Sequence, residues 1–511
     1  MSRAPSVVPG ATVLDRSAVG ADDIDGASGA AGADAGAIPV PPPVVHKFGG
    51  TSVADASRIA RLPGILASEP GPHVVVVSAL RGVTDLLVRI AGALRGDPGP
   101  VEGWVDELRE RHVRLLKELL EHHAGDGREA SEGDDPSAPG DATADELEGV
   151  LGRIRSAAES DWSDRPGELD DEIVALGEDL SSRLVTLAFR LQGIPAETVD
   201  AREVVRTDAR FGAARPDEEA VRELARRHIL SRCERGVVPV IGGFMGATAD
   251  GRTTTLGRGG SDYTAALLGG ALGGQEINIW TDVDGILSGD PRAVDNAATL
   301  PEMGFEEAVE LSYFGARVIH PGAAKHAVSR GLVVRIRNTF NPSGTGTRIL
   351  ADRRGITEIA AVAYKPDVAL IKVRSHPSAL PYGFLARVFD VLARHHLPVD
   401  LVATSHSSTA FTIDVSQNLE VVREELSDFA EVEILSGLAT VTVVGRGLMA
   451  EPGTDALVFW AVKRTPVHLI SQASDVSLSF VVDQTEASAL IRRLHLALIE
   501  FRDEEKRAWI G

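Results

Sequence analysis

The sequence predicts an α/β protein with a largely parallel sheet, followed by two copies of a small βαββαβ unit. Three observations carry this. The ordered pattern opens as strand (Val44–Phe48), glycine turn (Gly49-Gly50), helical stretch (54–66) and strand (74–78). The second strand contains Val74-Val75-Val76-Val77, a continuous β-branched run suited to burial on both faces. The alternation resumes with an amphipathic helix at 173–192 and strands at 196–199, 237–241, 277–280 and 333–336, with helical runs at 217–235 and 263–272 between them.

Beside these three stands a divergent repeat after about residue 360. A helix beginning at Gly383 places Phe384, Leu385, Val388, Phe389 and Leu392 on one face. Strand patterns follow at 399–405 and 409–415. About seventy residues later a second helix from Gly453 repeats the Val-Phe pair as Val458-Phe459, followed by strands at 467–472 and 477–482 and a helix over 485–501. The predicted divisions are a tail (1–43), a first α/β domain (44–355), and repeat units at 366–436 and 437–511 that can exchange strands.

Two segments interrupt the pattern. Residues 1–43 are rich in Ala and Gly, end in Pro41-Pro42-Pro43, and lack the basic and apolar regions of a signal peptide. They are expected to be a disordered tail. Residues 105–122 are predicted helical, and the acidic insert at about 123–148, with nine acids against one Arg over 126–148, is expected to be a solvated loop.

At about 150 residues per domain, 511 residues suit three to four domains. The net charge of −22 opposes binding to nucleic acid or anionic membranes. The single cysteine, Cys233, excludes an internal disulfide and a Cys-rich zinc site, and points to a reduced, cytoplasmic protein. No apolar run approaches the ~20 residues that span a bilayer.

Four stretches carry chemistry. In Lys47-Phe48-Gly49-Gly50-Thr51-Ser52 a strand-ending lysine precedes glycines and hydroxyls at a helix start, an arrangement suited to anions. Neither a P-loop nor an early G-x-G-x-x-G is present. Residues 252–262 combine Thr253, Thr254, Thr255, Gly257, Gly259, Gly260 and Ser261 with Arg258, whose planar fork suits a carboxylate or phosphate. Asp262 fits a helix N-cap by position. The others are Trp280-Thr281-Asp282-Val283-Asp284-Gly285-Ile286 and Phe314-Gly315-Ala316-Arg317-Val318-Ile319-His320-Pro321.

These four stretches, in this order, closely resemble the aspartate kinase family, and the repeat resembles its paired ACT regulatory domains. The resemblance implies a three-layer amino-acid-kinase sandwich and ATP-dependent phosphorylation of the L-aspartate β-carboxylate, with Mg²⁺. It implies catalytic roles for Lys47 and Asp262, and aspartate binding by Ser78, Thr84, Glu178, Arg258, Gly259, Gly260 and Ser261. Lys47, Phe48, Gly49, Gly50, Thr281, Asp282, Leu287, Arg292, Arg317 and Val318 fall at its ATP-binding positions. Ser378, Phe384, Leu385, Asp400, Thr404 and Ser405 fall at its effector positions, and a homodimer through the ACT domains is implied. Asp284 falls near the nucleotide or metal, or is a turn aspartate before Gly285. His320 is expected to be structural.

The chain departs from the family at several positions. Arg317 replaces a lysine and Leu287 a tyrosine, which bears on ATP contacts. His406 replaces a glutamate of lysine-sensing relatives and Pro381 a small polar residue, leaving lysine, threonine or no effector open. A kinase for another acidic substrate and a non-catalytic amino-acid sensor are the rival readings; a sensor is expected to lack Lys47, Glu178 or Arg258, and all three are present. No dinucleotide-binding pattern follows the repeat, so a homoserine dehydrogenase fusion is not expected.

Overall fold

The computed structural model describes residues 41–125, 137–315, 319–351, 359–376, 382–415, 419–446, 448 and 453–500. Most of the tail, the middle of the acidic insert, Arg317, Val318, Ser378, Pro381 and the last eleven residues lie outside them.

Among the described residues, those up to residue 351 supply ten strands: β1 (Val44–Phe48), β2 (His73–Val77), β3 (Ala196–Val199), β4 (Val238–Gly242), β5 (Met245–Ala247), β6 (Thr253–Thr255), β7 (Glu276–Thr281), β8 (Glu302–Gly304), β9 (Val333–Asn338) and β10 (Thr347–Leu350). Eight form one sheet in the order β3-β4-β2-β1-β7-β9-β10-β8; β5 and β6 form a separate hairpin. All pairs in the large sheet are parallel except β9 with β10. Its central strands are buried on both faces, as the valine run requires, and helices cover each side in a three-layer sandwich.

Alternation along β1 decides what faces where. Val45 packs into one face, while His46 and Phe48 enter the other beside Trp280. His46 is fully buried, accepts from Trp280 Nε1 at 3.2 Å and meets His73 Nδ1 through Nε2 at 3.2 Å. Burial, then the neighbouring His73 and Arg337, hold its pKa well below the usual histidine value. Lys47 is left at the carboxyl end of the strand, with its side chain on the opposite face to His46.

Six further strands form the second sheet: β11 (Ile359–Ser375), β12 (Val402–Thr404), β13 (Ser408–Asp414), β14 (Ala430–Gly445), β15 (Val467–Ser474) and β16 (Ser477–Asp483). Their order is β12-β13-β11-β14-β16-β15, entirely antiparallel. The long strands β11 and β14 pair along most of their length, so each serves both repeat units. The first part of β11 lies beside the second part of β14, completing the second unit's sheet from upstream in the chain.

Several expectations are corrected. The stretch 54–66 is two short helices, Ala56–Ile59 and Leu62–Ala67, with Pro63 in the first turn of the second. From Ser137 the acidic insert is a helix, Ser137–Ala158, not a loop. Its Leu147, Val150, Leu151 and Ile154 recur at helical spacing and are buried, joining the core that includes Leu108 and Leu115 of the helix Val101–Gly125. Charge content masked that stripe. The strand pattern at 399–405 shrinks to β12.

The hairpin β5–β6 was not anticipated. Asp171 holds it in place, accepting from Thr255 N–H at 2.8 Å, Thr255 Oγ1 at 2.6 Å and Gly212 N–H at 2.9–3.0 Å. Burial raises the Asp171 pKa, and these hydrogen bonds work against that rise. Asp171→Ala would leave buried donors unpaired, so a loss of about 2–4 kcal/mol is expected in denaturant unfolding. A variant as stable as the parent would show that the hairpin holds without this carboxylate.

Candidate functional site

A cavity of about 390 Å³ opens between β1, the loop after β2, and the loop from β6 into the helix Gly260–Ala271. Lys47 ends β1 on this side. Its Nζ lies 2.6 Å from Asp262 Oδ1, with both side chains about an eighth exposed. The contact is an ion pair rather than a well-aligned hydrogen bond, because Oδ1 has no directed donor. Asp262 Oδ2 accepts from the His320 N–H at 3.3 Å.

The approach to this helix requires glycine. Gly257 and Gly259 have φ of 76° and 73°, in the left-handed region. A Cβ on Gly259 would sit 2.2 Å from the His320 Cβ, so no side chain fits. Gly259 is the N-cap, replacing the N-cap role expected of Asp262, which stands in the first turn. The N–H groups of Ser261 and Asp262 have no preceding helical carbonyl and form an electropositive end beside Lys47. Arg258 is exposed on the cavity wall and makes no ion pair among the described residues.

Opposite stands Glu178, in the first turn of the helix Leu176–Leu191 and only 4% exposed. Burial pushes its pKa up to about 8; Asp179 adds to the rise, while backbone N–H groups and Lys47 oppose it. Among the described residues its Oε2 is buried without a hydrogen-bond partner. An unpaired buried carboxylate oxygen facing a polar cavity is suited to an ammonium group. Ser78 and Thr84 line the same cavity from the loop after β2 and the helix Val83–Arg95.

The structure therefore gathers Lys47, Gly50, Ser78, Thr84, Glu178, Arg258, Gly259, Gly260, Ser261 and Asp262 around one space. Five further lining residues are not singled out by the sequence: Ala79, Leu80, Arg81, Gly82 and Phe244. Arg81 lay in plain view between Ser78 and Thr84. Phe244 has φ of 69°, a left-handed conformation rare outside glycine, and its N–H donates to Thr264 Oγ1 at 3.1 Å. Nothing in its residue type announces that.

The proposed nucleotide residues are spread along the sheet edge. Thr281 ends β7, next to β1, Asp282 follows it, and Leu287 is half-buried in the same loop. Arg292 is 84% exposed and holds Asp290 through two nitrogens at 2.7 and 3.0 Å. The Phe48 ring is fully buried against Trp280, which withdraws that side chain from any ligand. Gly49 donates its N–H to the Trp280 carbonyl at 3.3 Å. Asp284 binds Asn338 and Asn341 side chains at 2.9 and 3.0 Å, tying two loops together. His320 caps the helix Pro321–Ser329, a structural role.

Of the proposed effector residues, Ser378 lies outside the described residues. A groove of about 520 Å³ on the second sheet touches Thr404 and Ser405 but not Phe384, Leu385 or Asp400. Asp400 is already occupied by Lys365, whose Nζ lies 2.5 Å from Asp400 and 2.9 Å from Asp414. The lone Cys233 is buried, and its thiol is pushed up to about 12 by that burial, so it stays un-ionised at neutral pH. Among the described residues no helix is long and apolar enough to cross a membrane.

Comparison with known proteins gives a consistent picture. The amino acid kinase family model matches residues 42–338, and an ACT domain model matches 441–498. Lysine-sensitive aspartokinase 3 of Escherichia coli is 36% identical, over 89% of this chain and 99% of its own length. Aspartokinase 1, chloroplastic, of Arabidopsis thaliana is 33% identical, over 90% and 80%. The crystal structure of E. coli aspartokinase III with lysine and aspartate superposes with a TM-score of 0.77 at 35% identity, over 90% of this chain and all of that one. The same enzyme with aspartate and ADP gives 0.72 at 35% identity, over 89% and 99%.

Glu178 makes the pocket sensitive to pH. Below about 8 its carboxyl holds a proton in the ligand-free pocket, and above that value it is an anion. Calorimetry is therefore expected to show L-aspartate, as a ligand bearing an ammonium group, binding more tightly as pH rises from about 6.5 to 8.5. Glu178→Gln should weaken binding and flatten the dependence. The same slope in that variant would remove Glu178 from ammonium recognition.

Proposed function

The chain belongs to the aspartokinase family, and on that premise we propose how its cavity carries out ATP-dependent phosphorylation of L-aspartate. The observation that carries the reading is the placement of the Arg258 cation and the orphaned Glu178 carboxyl oxygen on one cavity that also holds Lys47. Glu178 takes the substrate ammonium and Arg258 the α-carboxylate, with Ser78, Thr84 and Ser261 supplying hydroxyls. The β-carboxylate then faces Lys47.

An aspartate β-carboxylate ionises near pH 3.9 in water, so it is already a nucleophile at neutral pH and needs no general base. One of its oxygens attacks the γ-phosphorus, the bond to the bridging oxygen breaks, and ADP leaves with that electron pair. The product is the mixed anhydride 4-phospho-L-aspartate. The obstacle is repulsion between an anion and a polyanion. Lys47, held in place by its ion pair with Asp262, and the N–H groups at the start of the helix Gly260–Ala271 offset that repulsion.

Magnesium belongs to the same proposal. Asp262 offers a carboxylate on the cavity wall, and Mg²⁺ characteristically combines one or two carboxylates with phosphate oxygens and water. Bound there it would neutralise charge on the β- and γ-phosphates. The nucleotide is assigned to the carboxyl ends of β1 and β7, with Thr281, Asp282, Leu287 and Arg292 around it, and with Arg317 and Val318 from outside the described residues.

For regulation we infer an amino-acid effector on the second sheet. Lysine and threonine are both retained as candidates: the similarity to a lysine-sensitive relative supports lysine, while Asp400 is paired with Lys365 in the ligand-free chain. The homodimer is retained: β12 is an edge strand with Val402 38% exposed, an opening for a second copy. The catalytic domain spans 44–355 and the two repeat units 366–436 and 437–511, with β11 and β14 shared between the units. A reducing compartment such as the cytoplasm suits the un-ionised Cys233 thiol.

Trapping of the acyl phosphate with hydroxylamine is expected to give product only with ATP, Mg²⁺ and L-aspartate together. Lys47→Ala should lower kcat by about 10²-fold or more; retained turnover would refute its role. Arg258→Ala should raise the KM for aspartate by about tenfold or more, with the KM for ATP within about twofold. An equal rise in both would contradict the assignment. Product with a different acidic substrate and none with aspartate would favour the rival kinase reading.

A further inference from the structure

The loop that follows β7 is held by the far end of the chain. Residues 286–288 and 298–300 form the stems of a loop: Ser288 N–H donates to the Ala298 carbonyl at 2.9 Å, and Leu300 N–H to the Ile286 carbonyl at 2.8 Å. Arg292 sits on the segment between them. Ser288 is 1% exposed, yet its hydroxyl is not spent within the loop alone. It accepts the Ala298 N–H at 3.0 Å and meets His495 Nε2 at 2.9 Å.

His495 ends the helix Gln484–His495 of the second repeat unit and is itself 1% exposed. Its Nδ1 lies 2.9 Å from Glu500 Oε1, and Glu500 Oε2 accepts from Asn296 Nδ2 at 3.2 Å. A carboxylate only accepts, so Nδ1 donates to Glu500 and Nε2 is left to accept the Ser288 hydroxyl proton. The four residues close a ring from one side of the loop, through the regulatory unit, to the other: Ser288, His495, Glu500, Asn296. Apolar contacts run the same way, since Ala293 and Val294 are buried in the core of the second repeat unit with Leu494 and Leu498. The Ser288 carbonyl also accepts the Val362 N–H of β11 at 2.9 Å.

We infer that His495 and Glu500 are positioning residues for nucleotide binding, setting the shape of the 289–295 segment through Ser288 and Asn296 without touching the nucleotide. The inference rests on the assignment of ATP to the Thr281–Arg292 stretch made above. A merely structural buried histidine needs neither a hydroxyl partner in another domain nor a carboxylate that reaches back to the same loop. The geometry makes this ring a polar contact between the regulatory unit and the residues assigned to ATP.

Steady-state kinetics on the full chain tests it, with Ser288→Ala, Asn296→Ala and His495→Gln compared against the parent. Asn296 is exposed, so its variant is expected to fold even where changes at the buried pair do not. The expected result is a rise of roughly fivefold in the KM for ATP, the size of one hydrogen bond's net contribution. The KM for aspartate should stay within about twofold and the Tm of Asn296→Ala close to that of the parent. Ser288→Thr, which keeps the hydroxyl, should restore the ATP KM lost in Ser288→Ala. An unchanged ATP KM in both Ser288→Ala and Asn296→Ala would overturn the inference. So would a parallel rise in both KM values with a lowered Tm, the signature of general loosening. Arg292→Ala separates the two layers of argument: if it leaves ATP binding intact, the nucleotide assignment fails, whereas a defect in Arg292→Ala with none in the ring variants defeats the ring alone.

Discussion

The ion pair between Lys47 and Asp262 is the constraint on which the site depends. It joins the carboxyl end of β1, a strand at the centre of the large sheet, to the first turn of the helix Gly260–Ala271. The other Asp262 oxygen takes the His320 N–H, which brings the helix Pro321–Ser329 to the same point. Closing these three elements around one carboxylate leaves no room for a side chain at Gly259. The glycines of the Arg258 loop are thus a steric consequence of the ion pair as much as an invitation to a ligand.

The same arrangement resolves an electrostatic contradiction. A protein of net charge −22 is a poor host for a nucleoside triphosphate and a dicarboxylate. Locally the balance is reversed: Lys47, Arg81 and Arg258 line the cavity with a helix start, against Asp262 and a Glu178 held largely protonated at neutral pH by burial. Elsewhere some acids serve structural ion pairs. Asp179, 4% exposed, lies between Arg153, Arg183 and Arg202, and its neighbour Glu178 keeps one oxygen unpaired. Two adjacent carboxylates on one helix thereby have separate tasks.

Much of this was legible in the sequence because the signals were local. A β-branched run, a glycine pair after a lysine, and an arginine between glycines each constrain their own backbone, and the α/β rhythm implies a largely parallel sheet. What escaped depended on long-range contacts. The helix Ser137–Ala158 hid behind its acids, although Leu147, Val150, Leu151 and Ile154 marked its buried stripe. Asp171 carries no motif, and its role appears only when Thr255 and Gly212 arrive from elsewhere in the chain. Phe48 sat inside a binding motif yet belongs to the core, because alternation along β1 turns it away from Lys47. Asp400 stood at an effector position, but Lys365 on β11 already neutralises it. Likewise nothing near Ser288 in sequence foretells His495, more than two hundred residues on.

The most direct test of the central claim is Asp262→Asn, which keeps the side-chain shape and removes the charge that fixes Lys47. Calorimetric binding of ATP and L-aspartate, measured beside single-turnover formation of the trapped acyl phosphate, separates holding the substrates from reacting them. The account predicts that both ligands still bind while phosphoryl transfer falls by about 10²-fold or more. Transfer at the parental rate in a folded, ligand-binding variant would contradict it.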